Sequence, residues 1–266
     1  MQGLMLPLWL GLTGACVGSF TNVVAWRLPR DESVVFPASH CPRCGHAIRW
    51  HDNVPVLGWL LLAGRCRDCH TPISWRYPAV ESLSALLWLS SLLVAPMGGG
   101  GLPIWLQPWA GVLLVALLLP LVLIDLDHLW LPEPLCRWGL VLGLLLSAAA
   151  GIPLLADHLV AASLALLTLE GLSALGERVL GQPALGLGDA KLAAMGGAWL
   201  GLPGIVAAMA VAVMSGAVVG SLARLTGRLQ ARQAFPFGPF IALGIWLVWL
   251  RGPFWWWDQW LALFRF

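Results

Sequence analysis

Two aspartates sit where charge is expensive. Asp125 ends the apolar run Leu121-Val122-Leu123-Ile124, and Asp189 opens another run after Gly186-Leu187-Gly188. A carboxylate at the centre of a membrane helix costs roughly 2.5–3.5 kcal/mol on insertion scales, so a residue of this kind near a span marks function. Two carboxylates at matching depth can share one proton, which is the chemistry of aspartyl hydrolysis. Asp127 is no partner for Asp125, because residues two apart on a helix point about 200° away from each other. Asp127 and His128 are expected at the water interface. Gly186 and Gly188 lack side chains, so another backbone can approach the Asp189 carboxylate closely. Lys191 either snorkels to the surface or pairs with Asp189. The competing reading makes each aspartate an interfacial cap or the partner of Arg137 or Lys191.

A second cluster is metal-like. Cys41-Pro42-Arg43-Cys44-Gly45 and Cys66-Arg67-Asp68-Cys69-His70 are two C-x-x-C pairs, 21 residues apart. Together they supply four thiolates for one tetrahedral ion, and Gly45 allows the tight turn that such a knuckle needs. A structural zinc is expected, with Cys41, Cys44, Cys66 and Cys69 as ligands. Four thiolates leave no open position for water, and no H-E-x-x-H occurs, so catalytic zinc is not expected. Two disulfides are the alternative, which a reducing cytoplasm disfavours. His40, His46 and His70 flank the cysteines as loop residues, and Cys16 and Cys136 read as packing residues.

The elements that must position these groups are membrane helices. Of 266 residues, 59% are hydrophobic and only 11% are charged, against roughly 25% charged in a soluble domain. Mean hydropathy is +0.81. Eight apolar spans are predicted, at 4–26, 79–96, 104–124, 135–152, 158–175, 190–202, 204–222 and 238–258. The fold class is therefore all-α and polytopic, with about eight transmembrane helices and a small cytoplasmic zinc-binding domain between the first and second. The organisation is a first transmembrane helix at 1–26, a four-cysteine domain at 27–78 and, at 79–266, a transmembrane domain that carries both aspartates. The first run is not expected to be a cleavable signal, since its basic residues follow it. With the N-terminus periplasmic, segments 27–78, 125–137, 176–191 and 223–237 face the cytoplasm. They hold 13 of the 15 basic residues, and only Arg251 and Arg265 fall outside. This orientation puts Asp125 and Asp189 at the same, cytoplasmic, end of their spans. The arginines of 27–78 suit anionic lipid, or contact with a membrane-bound substrate.

Other polar groups in apolar context are Glu81, Asp157, Glu170 and Asn22. Glu81 opens the second span and could cap its N-terminus. Asp157 and Glu170 have no partner visible in the sequence, and Asn22 reads as a local hydrogen-bonding group. No G-x-x-x-x-G-K-[ST] loop and no G-x-S-x-G elbow occur, which excludes a P-loop ATPase and an α/β-hydrolase.

Gly18-Ser19-Phe20-Thr21-Asn22-Val23 with Arg27-Leu28-Pro29, the paired C-x-x-C, Arg76-Tyr77-Pro78 with Glu81, Ile124-Asp125 with Leu131-Pro132, and Gly186-x-Gly188-Asp189-x-Lys191 occur in this order. Together they resemble the type IV prepilin peptidases, G-x-G-D aspartyl proteases of pilus and type II secretion systems, over residues 14 to 240. One departure is Glu133, where the family usually has Asp after Leu-Pro; Asp125 is the better catalytic candidate. The resemblance implies catalysis by Asp125 and Asp189 at the cytoplasmic face of the bacterial inner membrane. Its implied substrates are prepilins and pseudopilins, cleaved after the Gly that ends a short basic leader. It further implies N-methylation of the new N-terminus with S-adenosylmethionine, with Glu81 as the methyl-transfer candidate. The residues alone give that second reaction no support, since no G-x-G-x-x-G appears. The expected partners are these membrane substrates and the lipid bilayer, not nucleic acid. Paired intramembrane carboxylates also serve proton-coupled transporters, and a non-catalytic scaffold that docks through its zinc domain is a third class.

Overall fold

The computed structural model describes residues 2–94, 98–181, 185–230 and 233–262. The end of the predicted second span at 95–96, residues 182–184 and 231–232 of the predicted cytoplasmic segments, and Arg265 lie outside these. Among the described residues the regular structure is helical, apart from the isolated bridges His40↔Ala47 and Arg65↔Pro72. The chain divides into two compact units, Met1–Leu92 and Leu93–Phe266.

The first unit contains α1 (Gln2–Arg27), the short α2 (Leu57–Leu61) and α3 (Arg76–Ser90). α1 stops where Leu28-Pro29 turns into a 3-10 helix, as the proline requires. α1 and α3 pack through small residues. A Cβ on Gly18 would lie 2.7 Å from Ser84 Cβ and 2.8 Å from Glu81 Cα, so only glycine fits that crossing. The Ser84 hydroxyl donates to the Gly14 carbonyl at 2.6 Å in the same seam. Asn22 is more than a local group. Its amide donates to Gly18 O at 3.3 Å and to Tyr77 O at 3.4 Å, tying α1 to the start of α3.

The second unit contains α4 (Gln107–His128), α5 (Glu133–Ala150), α6 (Ile152–Leu180), α7 (Leu187–Leu225), α8 (Gly238–Arg251) and α9 (Pro253–Ala262). Helices α1, α4, α5, α6 and α7 are each long and apolar enough to cross a membrane. The predicted spans differ in three places. In place of the span from 79, α3 starts at Arg76 and is only 15 residues long, followed by a 3-10 turn at Ser91–Leu93. The segment 238–258 divides at Gly252, where Pro253 restarts the chain as α9. The segments 190–202 and 204–222 run together as α7, interrupted by non-helical backbone at Gly201.

The break in α7 is built rather than loose. Gly201 has φ 68° and ψ −178°, a conformation essentially reserved for glycine. The amide of the next residue, Leu202, donates to Asp157 Oδ2 at 3.2 Å. His158 is buried beside it and donates from Nδ1 to Ala198 O at 2.8 Å. Asp157 thus has a partner that the sequence did not reveal: it caps the helix that resumes after the break. Upstream of the break, Gly197 lets the backbone of α6 at Ala161 and Ala162 come within 2.7 Å of where a Cβ would be. Gly197 is thus part of a packing seam between α6 and α7. Replacing the cap, Asp157→Ala, is expected to cost about 0.5–2 kcal/mol. Gly201→Ala should cost more, since it adds strain and a collision with Asp157 and His158. Thermal unfolding of detergent-solubilised variants checks the order. A Gly201→Ala protein as stable as its parent would show that the break is not a fixed feature.

Candidate functional site

Asp125 and Asp189 come together in the second unit. α4 runs past the predicted end at 124 to His128, and Leu129 N closes it on Asp125 O at 2.9 Å. Asp125 therefore points from the last full turn and is buried. Asp189 lies in the first turn of α7, where its amide donates to Gly186 O at 3.0 Å. Both aspartates line one cavity of about 330 Å³, with Leu131, Glu133, Gly188 and Lys191 on its wall. They are close enough to interact electrostatically. Asp127 is exposed and is not part of this wall.

Each carboxylate meets a helix N-terminus. Asp189 stands in the first turn of α7. Asp125 accepts the Gly238 amide, the first of α8, at 3.0 Å through Oδ2. Unpaired N-terminal amides are natural donors to anions, and the macrodipole adds to the attraction. A Cβ at Gly238 would sit 2.7 Å from Asp125 Oδ2, so glycine is what allows this backbone to close on the carboxylate. Gly238 was missed at the sequence level. Its available signal was Pro236-Phe237-Gly238-Pro239, a proline-bounded helix start.

The expected neighbours of Asp189 need correction. The group that approaches Gly188 is the Leu131 side chain, 2.9 Å from an added Cβ, not another backbone. At Gly186 the nearest group is the Asp189 carboxylate itself, at 3.3 Å. Lys191 pairs with Glu133 Oε2 at 2.7 Å rather than with Asp189. This half-exposed bridge ties α5 to α7 at the cavity mouth. Glu133, the departure from the family pattern, is thereby engaged outside the pair of aspartates.

In the first unit the four cysteines gather as read. Their sulfurs all lie within 4.8 Å of one another, with Cys41–Cys69 at 3.7 Å and Cys44–Cys66 at 4.0 Å. A tetrahedral ion with sulfurs at about 2.3 Å requires edges of about 3.8 Å. The cluster can therefore hold a metal ion, and its spacing is compatible with structural zinc. Each pair forms one turn of matching shape. Gly45 N returns to Cys41 O at 2.9 Å, and His70 N to Cys66 O at 3.0 Å, with positive φ at both Gly45 and His70. Thiolate-stabilising donors are in place. The amide and hydroxyl of Thr71 bring the Cys69 thiol down to about 6. Cys44 receives the His46 amide, yet burial and the adjoining sulfurs push it up to about 12. Four sulfurs this close cannot all ionise without a cation among them. All six cysteines of the chain are free. Around the cluster, Arg67 grips Asp52 through both guanidinium arms at 2.5 and 2.7 Å, holding that carboxyl below its usual range. Arg27 is buried and donates to Ser33 O and Pro37 O, so it fixes the entry to the cysteine segment.

Glu81 does not cap α3, because that helix starts at Arg76 and Glu81 lies beyond its first turn. It is buried and accepts the Val56 amide at 2.6 Å. Val56 and Ser19, its second partner, were not anticipated from the sequence.

Comparison with known proteins places these features. Residues 12–95 match the bacterial peptidase A24 N-terminal domain, and residues 112–221 match the type IV leader peptidase family. A prepilin leader peptidase/N-methyltransferase of Myxococcus xanthus is 42% identical over 231 residues, covering 86% of this chain and 67% of that protein. A type 4 prepilin-like proteins leader peptide-processing enzyme of Escherichia coli O78:H11 is 35% identical, covering 90% of this chain and 91% of its own. A prepilin leader peptidase/N-methyltransferase of Aeromonas hydrophila is also 35% identical, with 89% and 87% covered. No solved structure matches the chain. With two carboxylates in one cavity and two family models spanning both units, the chain belongs to the type IV leader peptidase family, a family of proteases.

Proposed function

We propose that this protein removes the leader from prepilins and pseudopilins, cutting after its terminal Gly at the cytoplasmic face of the bacterial inner membrane, and then N-methylates the new N-terminus. The observation that carries the first reaction is the pair Asp125 and Asp189 on one small cavity, each at a helix N-terminus. One carboxylate, ionised, takes a proton from a water between them as that water attacks the scissile carbonyl. The other, protonated, hydrogen-bonds the carbonyl oxygen and then protonates the leaving amine. The two share one proton and titrate as a unit. The N-terminus lies outside in this topology, as the distribution of arginines favours. Proton-coupled transport is the less favoured use of such a pair, since the similar proteins are named as peptidases.

The second reaction rests on the names of the relatives and on a site in the first unit. S-adenosylmethionine would donate the methyl group, with Glu81 beside the accepting amine. Zinc held by Cys41, Cys44, Cys66 and Cys69 would keep the cysteine segment folded and take no part in chemistry. Purified protein incubated with a prepilin and S-adenosylmethionine should yield a product lacking its leader and heavier by one methyl group. An unshortened prepilin would sink the peptidase reading, and a shortened, unmethylated one the second reaction. Glu81→Gln is expected to lower methylation relative to cleavage by about tenfold or more, as loss of a positioned acid–base group does. Equal methyl incorporation per cleaved chain in this variant would remove Glu81 from the assignment.

A further inference from the structure

The first unit holds a cavity of about 430 Å³ that the cleavage reaction does not use. Its wall includes Ser19 and Asn22 of α1, Trp59 and Ile73 of the cysteine segment, and Tyr77 and Glu81 of α3. The volume falls within the roughly 300–1,000 Å³ of small-molecule sites. Arg27, Arg49 and Arg67 also line it, and two of them are already engaged, Arg27 by the Ser33 and Pro37 carbonyls and Arg67 by Asp52.

The polar end of this cavity is built at a price. Glu81 is 7% exposed, and its two partners, the Val56 amide and the Ser19 hydroxyl, are both neutral. Val56 has φ 62° and ψ −52°, and Leu57 N bonds back to Pro55 O at 2.6 Å. This is a γ-turn of the rare positive-φ kind, here on a β-branched residue, with strain of about 1–3 kcal/mol. The turn turns the Val56 amide onto Glu81. Strained backbone is thus used to fix a buried carboxylate on the cavity wall. Beside it, Trp59 is anchored by its indole N–H on Ile73 O at 3.1 Å, and Asn22 binds the Tyr77 carbonyl.

A buried carboxylate with neutral partners favours a cationic ligand, because an unpaired charge in such a place is expensive. An aromatic and apolar wall favours a flat ring system. S-adenosylmethionine offers both, a sulfonium cation and an adenine. We propose that this cavity is the methyl-donor site, with the sulfonium end toward Glu81 and the adenine toward Trp59, Ile73 and Tyr77. This inference rests on the methyl-transfer reading above and extends it to a location. In the step itself the lone pair of the neutral N-terminal amine attacks the methyl carbon. The C–N bond forms as the C–S bond breaks, and that electron pair stays on sulfur as a neutral thioether. The nitrogen, now positively charged, passes one proton to Glu81 and on to water.

The test uses the full chain, zinc-loaded, in detergent micelles. Radiolabelled S-adenosylmethionine is photo-crosslinked and the labelled peptides are mapped; its affinity and that of S-adenosylhomocysteine are measured by equilibrium dialysis. Label is expected within residues 19–81. Glu81→Gln should weaken S-adenosylmethionine by about tenfold but S-adenosylhomocysteine, with its neutral sulfur, much less; Trp59→Leu should weaken both about equally. Equal loss of both ligands in Glu81→Gln, or unchanged affinity in both variants at normal zinc content, overturns the site. A separate arm supplies a synthetic peptide with the mature pilin N-terminus. Methyl transfer with label in the second unit overturns the site and keeps the reaction. Label in the cavity without methyl transfer keeps the site and overturns the reaction.

Discussion

Asp125→Asn and Asp189→Asn are each expected to abolish prepilin cleavage, with losses of about 10²–10⁴-fold or more. Asparagine nearly keeps the shape of aspartate but can neither ionise nor donate an acidic proton. A pair that works as one unit fails when either member is removed, so the double variant should be hardly worse than the single ones. Asp127→Asn should keep most of its activity, because Asp127 is exposed and off the cavity wall. The rate should fall at both ends of the pH range, since the shared proton must be present once and only once. Gly238→Ala probes the same pair without touching a carboxylate. Its methyl group would press on Asp125 Oδ2, so cleavage should drop while thermal stability changes little by comparison. Cleavage of a synthetic prepilin, followed by mass, reads all of these. An active Asp189→Asn protein, or an active Asp125→Asn beside a dead Asp127→Asn, would overturn the site.

What could be seen in the sequence was what is local. A carboxylate at the edge of an apolar run is conspicuous because its context is a dozen neighbouring residues. A C-x-x-C turn is conspicuous because chelation sets the spacing. The unseen part is held by backbone groups far along the chain. Gly238 lies 113 residues from the carboxylate it serves, and an amide is carried by nearly every residue. The partner of Asp157 is likewise an amide, 45 residues away at Leu202. Glu81 looked like a helix cap because the start of α3 was placed at 79 rather than at Arg76, one turn too late.

The spans show a second limit. Hydropathy places apolar segments but is blind to short interruptions with apolar flanks. Only Pro203 reads as a gap between the spans 190–202 and 204–222, whereas the structure has a capped break at Gly201-Leu202 inside α7. Gly252-Pro253 was read through, although it ends α8. In both cases glycine and proline carried the signal, and in the second the surrounding tryptophans outweighed it. Lys191 illustrates a third limit: two acidic groups compete for it, and composition cannot choose between Asp189 and Glu133.

Loss of a metal from the four-cysteine cluster is expected to act on the other unit. Between the end of α1 and the start of α3, the five-residue α2 is the only regular α-helix. A segment of this size buries too little apolar surface to fold securely without a staple. Structural zinc in finger peptides is worth about 10–16 kcal/mol at neutral pH, enough to decide the fold of such a segment. Elemental analysis should therefore find about one zinc per chain, as for a closed four-thiolate site. Cys44→Ser with Cys69→Ser, or prolonged chelation, should release it and open residues 31–75 to limited proteolysis. Glu81 should then lose its Val56 partner, since that turn belongs to the same segment. Methyl transfer should fall with zinc content by about tenfold or more, whereas cleavage should outlast it, because Asp125 and Asp189 are held by helices of the second unit. Zinc-free protein that still resists proteolysis and still methylates would show that the four sulfurs are not the staple of this segment.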